Sequence, residues 1–565
     1  MKVRENFYNM IHMINSLRCR IQPLIIILLV MILAFIAGCS KGQNNVDMGN
    51  EQGILHWGNG TDPQELDPHV VTGVPENHIL SAILEGLVAK DPKTLKPIPA
   101  VAEKWDISSD KKTYTFKIRS SAVWSNGDKL NAHDFVWSWW RALQPKLGNQ
   151  YAYMLYPIEN SEAYSKGEIT DFSKVGVKAL ADNLLQIKLA NPTPYFLQLL
   201  DHYSMYPLHK KTIEKFGEAD ERGTQWTRPG NFVGNGPFLL KEWRLFRSID
   251  VKKNPYYWDA KNVKLNGIRF HPIENVTTEE RMFRMGQLHK TASIPIDKVK
   301  AYQEKKPNLI KIHPYLGNYF YRLNIKVPHL SDKRVRRALA MSIDREQLTS
   351  RVTKGGELPA YTFTPPETFG YSAKAGFYFN PSEARKLMFE AGYPDGKGFP
   401  VTELLYNTSE GHRKIAVAIQ QMWKKYLGIN IILSNQDWKV YLDSVNNGNY
   451  AIARAGWIGD YIDPNTFLNM WVSDGGNNRT GWSNTYYDKL ISKQAPISSE
   501  KLDRYKIMAE AESILLDSMP IIPIYIYNSK SLMHPSVKGI EPNILNYVLY
   551  KNIYLQNMPI KKEAD

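Results

Sequence analysis

Residues 453–464 read A-R-A-G-W-I-G-D-Y-I-D-P, and this stretch decides how the rest of the chain is interpreted. It places a cation (Arg454), a glycine (Gly456), an indole (Trp457) and a carboxylate (Asp460) within seven residues. An extended segment of this composition can hold charges of both signs and free main-chain groups against a zwitterionic ligand, such as a peptide. The alternative is a solvated turn that carries an ion pair, and the segment alone does not distinguish the two.

The neighbouring residues indicate that this segment belongs to an α/β domain. Apolar residues recur at helical spacing over residues 415–427, and Gly428 stops the helix directly before an apolar strand at 429–433. Elsewhere, residues 114–119 alternate as in a strand, and helical and extended patterns are mixed along the chain. A chain of 565 residues also exceeds the roughly 100 to 200 residues of one domain. The sequence therefore predicts two or three α/β domains with mixed sheets.

The beginning of the chain has the layout of an export signal. Arg18 and Arg20 precede an unbroken apolar run at 24–37, which ends in small residues directly before Cys39. This order resembles a bacterial lipobox, in which the cysteine becomes the lipidated first residue of the mature protein. The alternative is an uncleaved membrane anchor, although the run is shorter than the roughly 20 residues that span a bilayer. We expect residues 1–38 to be removed and Cys39 to carry lipid.

The cysteine count and the charge narrow the class of protein. Of the two cysteines, Cys19 lies in the segment to be removed and Cys39 would carry lipid. The folded body is therefore expected to hold no disulfide and no cysteine-bound zinc or iron–sulfur cluster. The net charge of +15 falls to +12 without residues 1–38, which contain four basic residues and one acidic residue. Because the basic residues are scattered, an anionic cell-envelope surface is a better expected partner than nucleic acid.

Motifs for catalysis or cofactor binding are absent from the sequence. It contains no H-E-x-x-H, no G-x-S-x-G, no phosphate loop and no dinucleotide fingerprint. None of the thirteen histidines falls in a cluster with metal-ligand spacing, and isolated ones such as His289 are interpreted as structural. The adjacent Glu279 and Glu280 are interpreted as a solvated helix face. The chain is expected to be a binding protein and not an enzyme, with no cofactor and no metal ion.

Stretches along the whole chain resemble one family, the extracytoplasmic solute-binding proteins of peptide ABC importers (family 5). The resemblance covers nearly all of residues 53–555, and the stretches that begin at Leu405 and Arg454 point to the oligopeptide-binding type. The matching stretches are residues 66–69, 73–76, 85–87, 114–119, 124–127, 134–135, 150–152, 235–236, 254–255, 257–258, 358–361, 364–366, 405–409 and 454–457.

The resemblance implies a periplasmic-binding-protein-like fold, a two-lobed α/β clamshell with mixed sheets and an extra domain. Domain I would be discontinuous (40–84, 211–315 and 528–565), domain II would span 85–210, and domain III would span 316–527. A peptide would be buried between the lobes and passed to the membrane permease subunits of an ABC importer. The protein is expected to be a monomer, exported to the cell envelope or periplasm and held at a membrane by its lipid.

The resemblance also implies positions that contact the peptide. Asp460 would pair with the α-ammonium group, and Arg454 and His412 would help to hold the carboxylate. Main-chain groups would bind the ligand as an added strand, and aromatic side chains would cover it and form side-chain pockets. The implied peptide-binding residues are Val74, Tyr151, His412, Trp438, Arg454, Gly456, Trp457, Ile458 and Asp460.

Some positions leave alternatives open. Tyr151 and Trp438 also fit core packing, and His412 also fits a helix cap. Val445 stands where related proteins carry a second arginine, and Thr72 replaces an acidic residue, so the preferred peptide length is undecided. The alternative ligands within the family are dipeptides, murein peptides, haem and nickel chelates. A secreted hydrolase or an envelope adhesin is the alternative from another class.

Overall fold

The computed structural model describes residues 44–366, 368–498 and 500–556, so the predicted signal peptide and Cys39 lie outside the described residues. In chain order the strands are β1 (Ile54–Gly58), β2 (Val88–Lys90), β3 (Pro97–Pro99), β4 (Ala102–Ile107), β5 (Thr113–Ile118), β6 (Val177–Ala181), β7 (Leu184–Lys188), β8 (Phe238–Arg244), β9 (Ser248–Lys253), β10 (Gly267–His271), β11 (Ile310–Leu323), β12 (Leu358–Pro359), β13 (Thr402–Asn407), β14 (Ile431–Gln436), β15 (Ile452–Ile458), β16 (Ile521–Leu532), β17 (Val537–Lys538) and β18 (Tyr554–Leu555).

The α-helices lie between these strands, together with short 3₁₀ and π turns. No helix in the described ranges has the length and apolar character needed to cross a membrane. In chain order they are α1 (Asn45–Gln52), α2 (Val74–Ile83), α3 (Ala132–Ala142), α4 (Ser161–Ser165), α5 (Phe196–Leu199), α6 (Lys210–Phe216), α7 (Val276–Arg284), α8 (Val299–Lys305), α9 (Lys333–Met341), α10 (Arg345–Gln347), α11 (Pro381–Glu390), α12 (Glu410–Leu427), α13 (Trp438–Asn446), α14 (Asn465–Leu468), α15 (Thr485–Asp488), α16 (Ala495–Ile497) and α17 (Lys501–Ser518).

Three larger sheets organise the chain. Two are four-stranded, in the orders β1-β10-β9-β8 and β4-β5-β7-β6, and the third is six-stranded, in the order β12-β16-β11-β15-β13-β14. The first and third sheets contain both parallel and antiparallel pairs, so they are mixed as predicted. We call the part of the molecule built on the two four-stranded sheets lobe 1, and the part built on the six-stranded sheet lobe 2. The two four-stranded sheets fall within predicted domains I and II, and the six-stranded sheet lies in predicted domain III except for the ends of β11 and β16, which extend into domain I. The domain boundaries remain a proposal.

Two long strands connect the lobes. β11 and β16 pair antiparallel from Ile310 and Leu532 in lobe 1 to Arg322 and Ile521 in lobe 2. Their lobe 1 ends pack in a small apolar cluster with α8, and their lobe 2 ends lie in the six-stranded sheet. The register of the pair shifts between Pro314 and Asn318. The chain therefore crosses from one lobe to the other along a single hydrogen-bonded ribbon.

The helix predicted from residues 415–427 is confirmed and anchors lobe 2. α12 begins after Ser409, whose side chain caps it, and ends at Gly428 with φ of 74° in the left-handed region. Its apolar residues face the core beneath the six-stranded sheet. The Trp423 indole is fully buried there and donates a 2.9 Å hydrogen bond to the carbonyl oxygen of Leu339 in α9. α12 connects the parallel strands β13 and β14, and the chain continues from β14 to α13 and then β15.

An ion pair in lobe 1 is fully enclosed. Arg141 in α3 donates to both carboxylate oxygens of Asp67, over 3.1 and 2.6 Å, and both side chains are at most 3% exposed. Burial opposes the charged form of Asp67, but the Arg141 guanidinium outweighs it and holds the pKa of that carboxyl below its ordinary value. Removing one partner would leave the other charge buried and unpaired.

Three histidines stack at one edge of the first sheet. His56 on β1 lies 3.0 Å from His271 on β10, measured between Nδ1 and Nε2, and its amide donates to His289 Nδ1 over 3.0 Å. Burial is the main cause that lowers the pKa of His56 to about 4 and those of His271 and His289 to about 3. His289, which is isolated in the sequence, thus packs in a cluster with two other histidines that come from distant segments.

We expect this cluster to make lobe 1 less stable in mild acid. An unfolded histidine takes up a proton near pH 6.5, whereas these folded ones take it up only near pH 3 to 4. Below pH 6.5 the unfolded state binds more protons, so the free energy of unfolding should fall by about 1 kcal/mol or more per histidine by pH 5. Urea midpoints measured from pH 7.5 to 5 would report the slope.

Two variants test whether the cluster causes that slope. His271→Asn should flatten it, while His133→Asn should not, because the His133 side chain is 64% exposed. Equal urea midpoints of the unmodified protein at pH 7.5 and 5 would contradict the prediction.

Candidate ligand-binding site

A cavity of about 490 Å³ lies between the two lobes. It is lined by the start of α2 and by Tyr151, His202 and Tyr203 from lobe 1, and by α13 and the second half of β15 from lobe 2. Eight of the nine predicted site residues line it: Val74, Tyr151, Trp438, Arg454, Gly456, Trp457, Ile458 and Asp460. A larger cavity of about 690 Å³ also lies between the lobes, but none of the nine lines it. The first cavity is therefore the candidate site.

One edge of β15 is open toward this cavity. On one side β15 pairs with β11 along its whole length, but on the other side β13 pairs with it only at Ile452 and Ala453. The amide of Gly459 donates to the carbonyl oxygen of Leu316 in β11 over 2.7 Å. Along a strand, the N–H and C=O groups of successive residues point alternately to the two neighbouring sides, so those of every second residue point the same way. The main-chain N–H and C=O groups of Gly456 and Ile458 therefore point away from β11, to the open edge. An extended ligand can pair there as a further strand.

The carboxyl group of Asp460 stands at one end of this edge, and no charged lysine or arginine of the described residues lies within 4 Å of it. Its side chain is 13% exposed, and Oδ2 has no hydrogen-bond partner. His202 Nε2 lies 3.6 Å from Oδ1, but burial lowers the pKa of His202 well below its ordinary value, so this imidazole is neutral. Burial also raises the pKa of Asp460 to about 8. The site is one that a ligand cation would complete.

Arg454 stands toward the other end of the edge. Its guanidinium donates to Asn407 Oδ1 over 3.2 Å and to the Tyr527 hydroxyl over 2.8 Å, and it lies 4.9 Å from the centre of the Tyr319 ring. Its Nε is buried without a partner. Within the described residues no carboxylate lies within 4 Å of it. The cavity thus carries, at separate places, an acidic group that a ligand cation would ionise and a cation that has no counter-ion in the described residues.

Aromatic side chains form much of the cavity wall. The Tyr151 ring of lobe 1 lies 6.2 Å from the Trp457 ring of lobe 2, measured between centroids. Trp438 stacks on Tyr441, and its indole N–H donates to Glu76 Oε1 of lobe 1 over 3.4 Å. Both tryptophans therefore meet the opposite lobe at the cavity, where they can contact ligand side chains.

His412 is the one predicted site residue that the structure does not bring to the cavity wall. It lies in the first turn of α12, where its amide donates to Ser409 Oγ and its ring packs 5.6 Å from that of Tyr319. Burial, followed by the nearby Arg454, lowers the pKa of His412 well below its ordinary value. The ring therefore supports Tyr319, which itself lies beneath the Arg454 guanidinium.

Several polar residues of the cavity were not predicted from the sequence. Lys90 and Asp201 form a buried 2.8 Å ion pair at its edge, although they are 111 positions apart in sequence. Glu279 also lines it and accepts from the amides of Ala292 and Ser293 over 2.8 and 3.3 Å. Burial raises the pKa of Glu279 to about 7. The interpretation of this glutamate as part of a solvated helix face is wrong, because loop amides on a neighbouring segment enclose it.

The lobes are closed over the cavity. The amide of Ile462 in lobe 2 donates to Gln198 Oε1 in lobe 1 over 2.8 Å, and Asn465 Nδ2 donates to the Tyr195 hydroxyl over 3.0 Å. The rings of Tyr195 and Tyr461 stack across the same interface at 4.8 Å. A ligand in the cavity would therefore be enclosed, and its release requires the lobes to separate.

A two-lobed α/β protein with an enclosed, charged cavity and an open strand edge is a binding protein of the clamshell class. Comparison with known families agrees: the model of bacterial extracellular solute-binding proteins, family 5, matches residues 96–479. The chain belongs to this family. The predictions of the family, of the two-lobed fold and of a binding protein that is not an enzyme are thereby confirmed.

Two relatives illustrate the similarity. The periplasmic oligopeptide-binding protein OppA of Salmonella typhimurium is 37% identical over 540 residues, which cover 94% of this chain and 97% of that protein. The crystal structure of Haemophilus influenzae OppA in complex with RPPGFSPFR has a TM-score of 0.84 at 35% identity, covering 89% of this chain and 99% of that one.

A third relative reports on lobe closure. The structure of the Escherichia coli murein tripeptide-binding protein MppA has a TM-score of 0.85 at 34% identity, covering 89% of this chain and 98% of that one. Its unliganded open form has a TM-score of only 0.60 at the same identity and coverage. The difference agrees with the contacts between the lobes, which place this chain in a closed arrangement.

Proposed function

We propose that this protein is a receptor that encloses oligopeptides between its lobes and delivers them to an ABC importer. The observation that carries the proposal is the largely enclosed carboxyl group of Asp460, which stands at the end of an open strand edge and has no charged ionic partner in the described residues. A peptide with a free amino terminus supplies the missing cation, and its backbone supplies the missing strand. Relatives named as oligopeptide-binding proteins support the same ligand class.

Binding is expected to depend on the backbone and the two termini of the peptide. The α-ammonium group would pair with Asp460, and main-chain groups of the peptide would bond to Gly456 and Ile458 of β15. The carboxylate would lie toward Arg454, which is six positions away, at most roughly 20 Å of extended chain. Tyr151, Val74 and Trp438 would cover the ligand from both lobes. Because these contacts use groups that every peptide has, the receptor would accept many sequences.

The membrane attachment and the oligomeric state belong to this proposal. Cys39 follows the apolar run of a lipoprotein signal, so lipidation there would hold the receptor at the cell envelope, near its permease. Delivery would then take place in the periplasm or at the extracytoplasmic face of the membrane, with the receptor acting as a monomer. The scattered positive charge of the chain would favour an anionic membrane surface.

A murein peptide is the second candidate ligand, favoured by the similarity to MppA. Dipeptides stay possible ligands within the family, whereas haem and nickel chelates lack the ammonium group that Asp460 would accept. Native mass spectrometry of protein purified without added ligand separates the candidates by mass. Co-purification of peptides with mixed sequences supports the main proposal, and a single muropeptide mass supports the second.

Calorimetry provides the direct test of peptide binding. Peptides of three to five residues with free termini should bind, and N-acetylated copies should bind far more weakly because they bring no charge to Asp460. Small-angle scattering should show a smaller radius of gyration when peptide is present, as the lobes close. Turnover of the peptides by the clean protein, abolished by one point substitution, would instead indicate a hydrolase.

A further inference from the structure

Arg322 is a buried cation that has neither a hydrogen-bond acceptor nor a counter-ion in the described residues. It is 4% exposed and lies on β11, and its side chain donates no hydrogen bond to any residue that the structure describes. Four other arginines in the described ranges are equally buried, and each donates to at least one acceptor, although Arg345 Nη2 has none. Arg141 and Arg504 pair with aspartates, and Arg336 and Arg345 donate to main-chain carbonyls. Arg322 is the exception, and a buried guanidinium without an acceptor is strongly unfavourable.

A second arginine, Arg479, belongs to a segment that runs next to the end of β11, where the amide of Ile325 donates to the carbonyl oxygen of Thr480 over 3.0 Å. Arg479 comes from the loop before α15 and donates to Gln150 Oε1 of lobe 1, while its Nε is buried without a partner. Burial and then the positive charge of Arg322 lower the pKa of Arg479 to about 9, so the two like charges act on each other. Neither arginine has a described carboxylate within 4 Å. The Arg322 guanidinium lies 5.7 Å from the centre of the Phe320 ring, and the Tyr450 hydroxyl donates to the carbonyl oxygen of Arg479. Burial lowers the pKa of Arg322, and the nearby Arg454 adds a further positive charge that lowers it too.

The position of the pair relates it to the ligand edge. Arg322 is opposite Ala453 in the β11–β15 pair, and Asn318 is opposite Trp457, so Arg322 and Trp457 project from the same face of the sheet. Gln150, which holds Arg479, is followed directly by Tyr151 of the cavity wall. A peptide added as a strand beside β15 would project every second side chain onto this face. The side chain of Arg454 lies on the opposite face of the sheet, together with that of Tyr321, the residue opposite it on β11.

We propose that Arg322 and Arg479 form an anion site that receives the carboxylate of an acidic side chain of the bound peptide. The inference rests on the proposed peptide-binding function and adds a preference to it. A glutamate or aspartate at one interior position would insert between the two guanidinium groups and neutralise their repulsion. Since Arg479 is held by Gln150 of lobe 1, the filled site would also join the two lobes.

The test is calorimetry with peptides that differ by single Glu-to-Gln exchanges at each interior position, all with free termini. In the unmodified protein, glutamate at one position should bind at least about tenfold more tightly than glutamine. That ratio should fall to about one in Arg322→Gln and in Arg479→Gln. It should persist in Arg385→Gln, which removes an exposed arginine from α11 of the same lobe. The comparison of peptides on the unmodified protein requires no variant to fold.

Each other outcome overturns the inference in a recognisable way. Equal affinities for the Glu and Gln peptides at every position refute the acidic side-chain site while peptide binding stands. If Arg322→Gln weakens the binding of peptides with a free carboxyl terminus but not of carboxyl-amidated ones, whatever the interior residue, the pair binds the terminal carboxylate. If sulfate alone stabilises the protein through Arg322 without any Glu preference, the site holds only an inorganic anion. If no peptide binds, the proposed function fails and the inference falls with it.

Discussion

The affinity for peptides with a free amino terminus is expected to fall by about 3 to 5 kcal/mol when Asp460 is replaced by alanine. In the closed protein the ammonium group would then be enclosed without its paired carboxylate, because Asp201 of the same cavity already pairs with Lys90 and Glu279 already accepts from two amides. By the usual conversion this is a loss of roughly a hundredfold to several thousandfold in Kd. Isothermal titration calorimetry at pH 7 measures it directly.

A double comparison shows whether the loss comes from the charge pair. An N-acetylated peptide should bind weakly to the unmodified protein and lose little more in Asp460→Ala, because it brings no ammonium group. Asp443→Ala is the matched control, since Asp443 is exposed on α13 of the same lobe. Unchanged affinity of free peptides for Asp460→Ala would remove this residue from the site.

The second large effect is expected on stability, from Arg141→Met. Arg141 and Asp67 are both enclosed in lobe 1, and methionine keeps most of the volume of arginine while it removes the charge and the donors. Asp67 would remain buried without its counter-ion, which costs about 3 to 5 kcal/mol in free energy of unfolding. Urea unfolding followed by tryptophan fluorescence should show the midpoint of lobe 1 moving to lower concentration.

Lys166→Met provides a control at an ion pair with the same shortest separation. The Lys166–Glu162 pair has the same 2.6 Å separation as the shortest Arg141–Asp67 contact, but its side chains are 53% and 42% exposed. An exposed pair of this kind contributes less than about 1 kcal/mol. Similar shifts for both variants would mean that burial does not determine the contribution of these ion pairs.

Local features of the fold could be predicted from the sequence. The apolar spacing over residues 415–427 and Gly428 predicted α12 and its end, because both signals depend only on neighbouring residues. The open stretch around Gly456 was predicted to bind a ligand backbone, and the structure does place it at an unpaired strand edge. The two-lobed arrangement was predicted from the stretches that resemble the family, because periodicity alone does not indicate how the domains are arranged.

Contacts between distant segments could not be predicted in this way. His56 and His271 meet only because β1 and β10 pair in parallel, and the sequence carries no signal for that register. Glu279 looked like a solvated residue because its helix is polar, yet loop amides at Ala292 and Ser293 enclose it. The lack of a partner for Arg322 is likewise visible only once the surrounding strands and both lobes are in place.

The ribbon formed by β11 and β16 allows the lobes to separate and close repeatedly. Both crossings between the lobes are strands hydrogen-bonded to each other; their register shifts between Tyr319 and Phe320, and the pairing is interrupted between Pro314 and Asn318. Opening can therefore be absorbed by a few main-chain torsion angles at that interruption, while the apolar clusters on either side stay intact. Each round of capture and release would then avoid partial unfolding, so the same molecule can be reused many times without exposing its cores to proteolysis or aggregation.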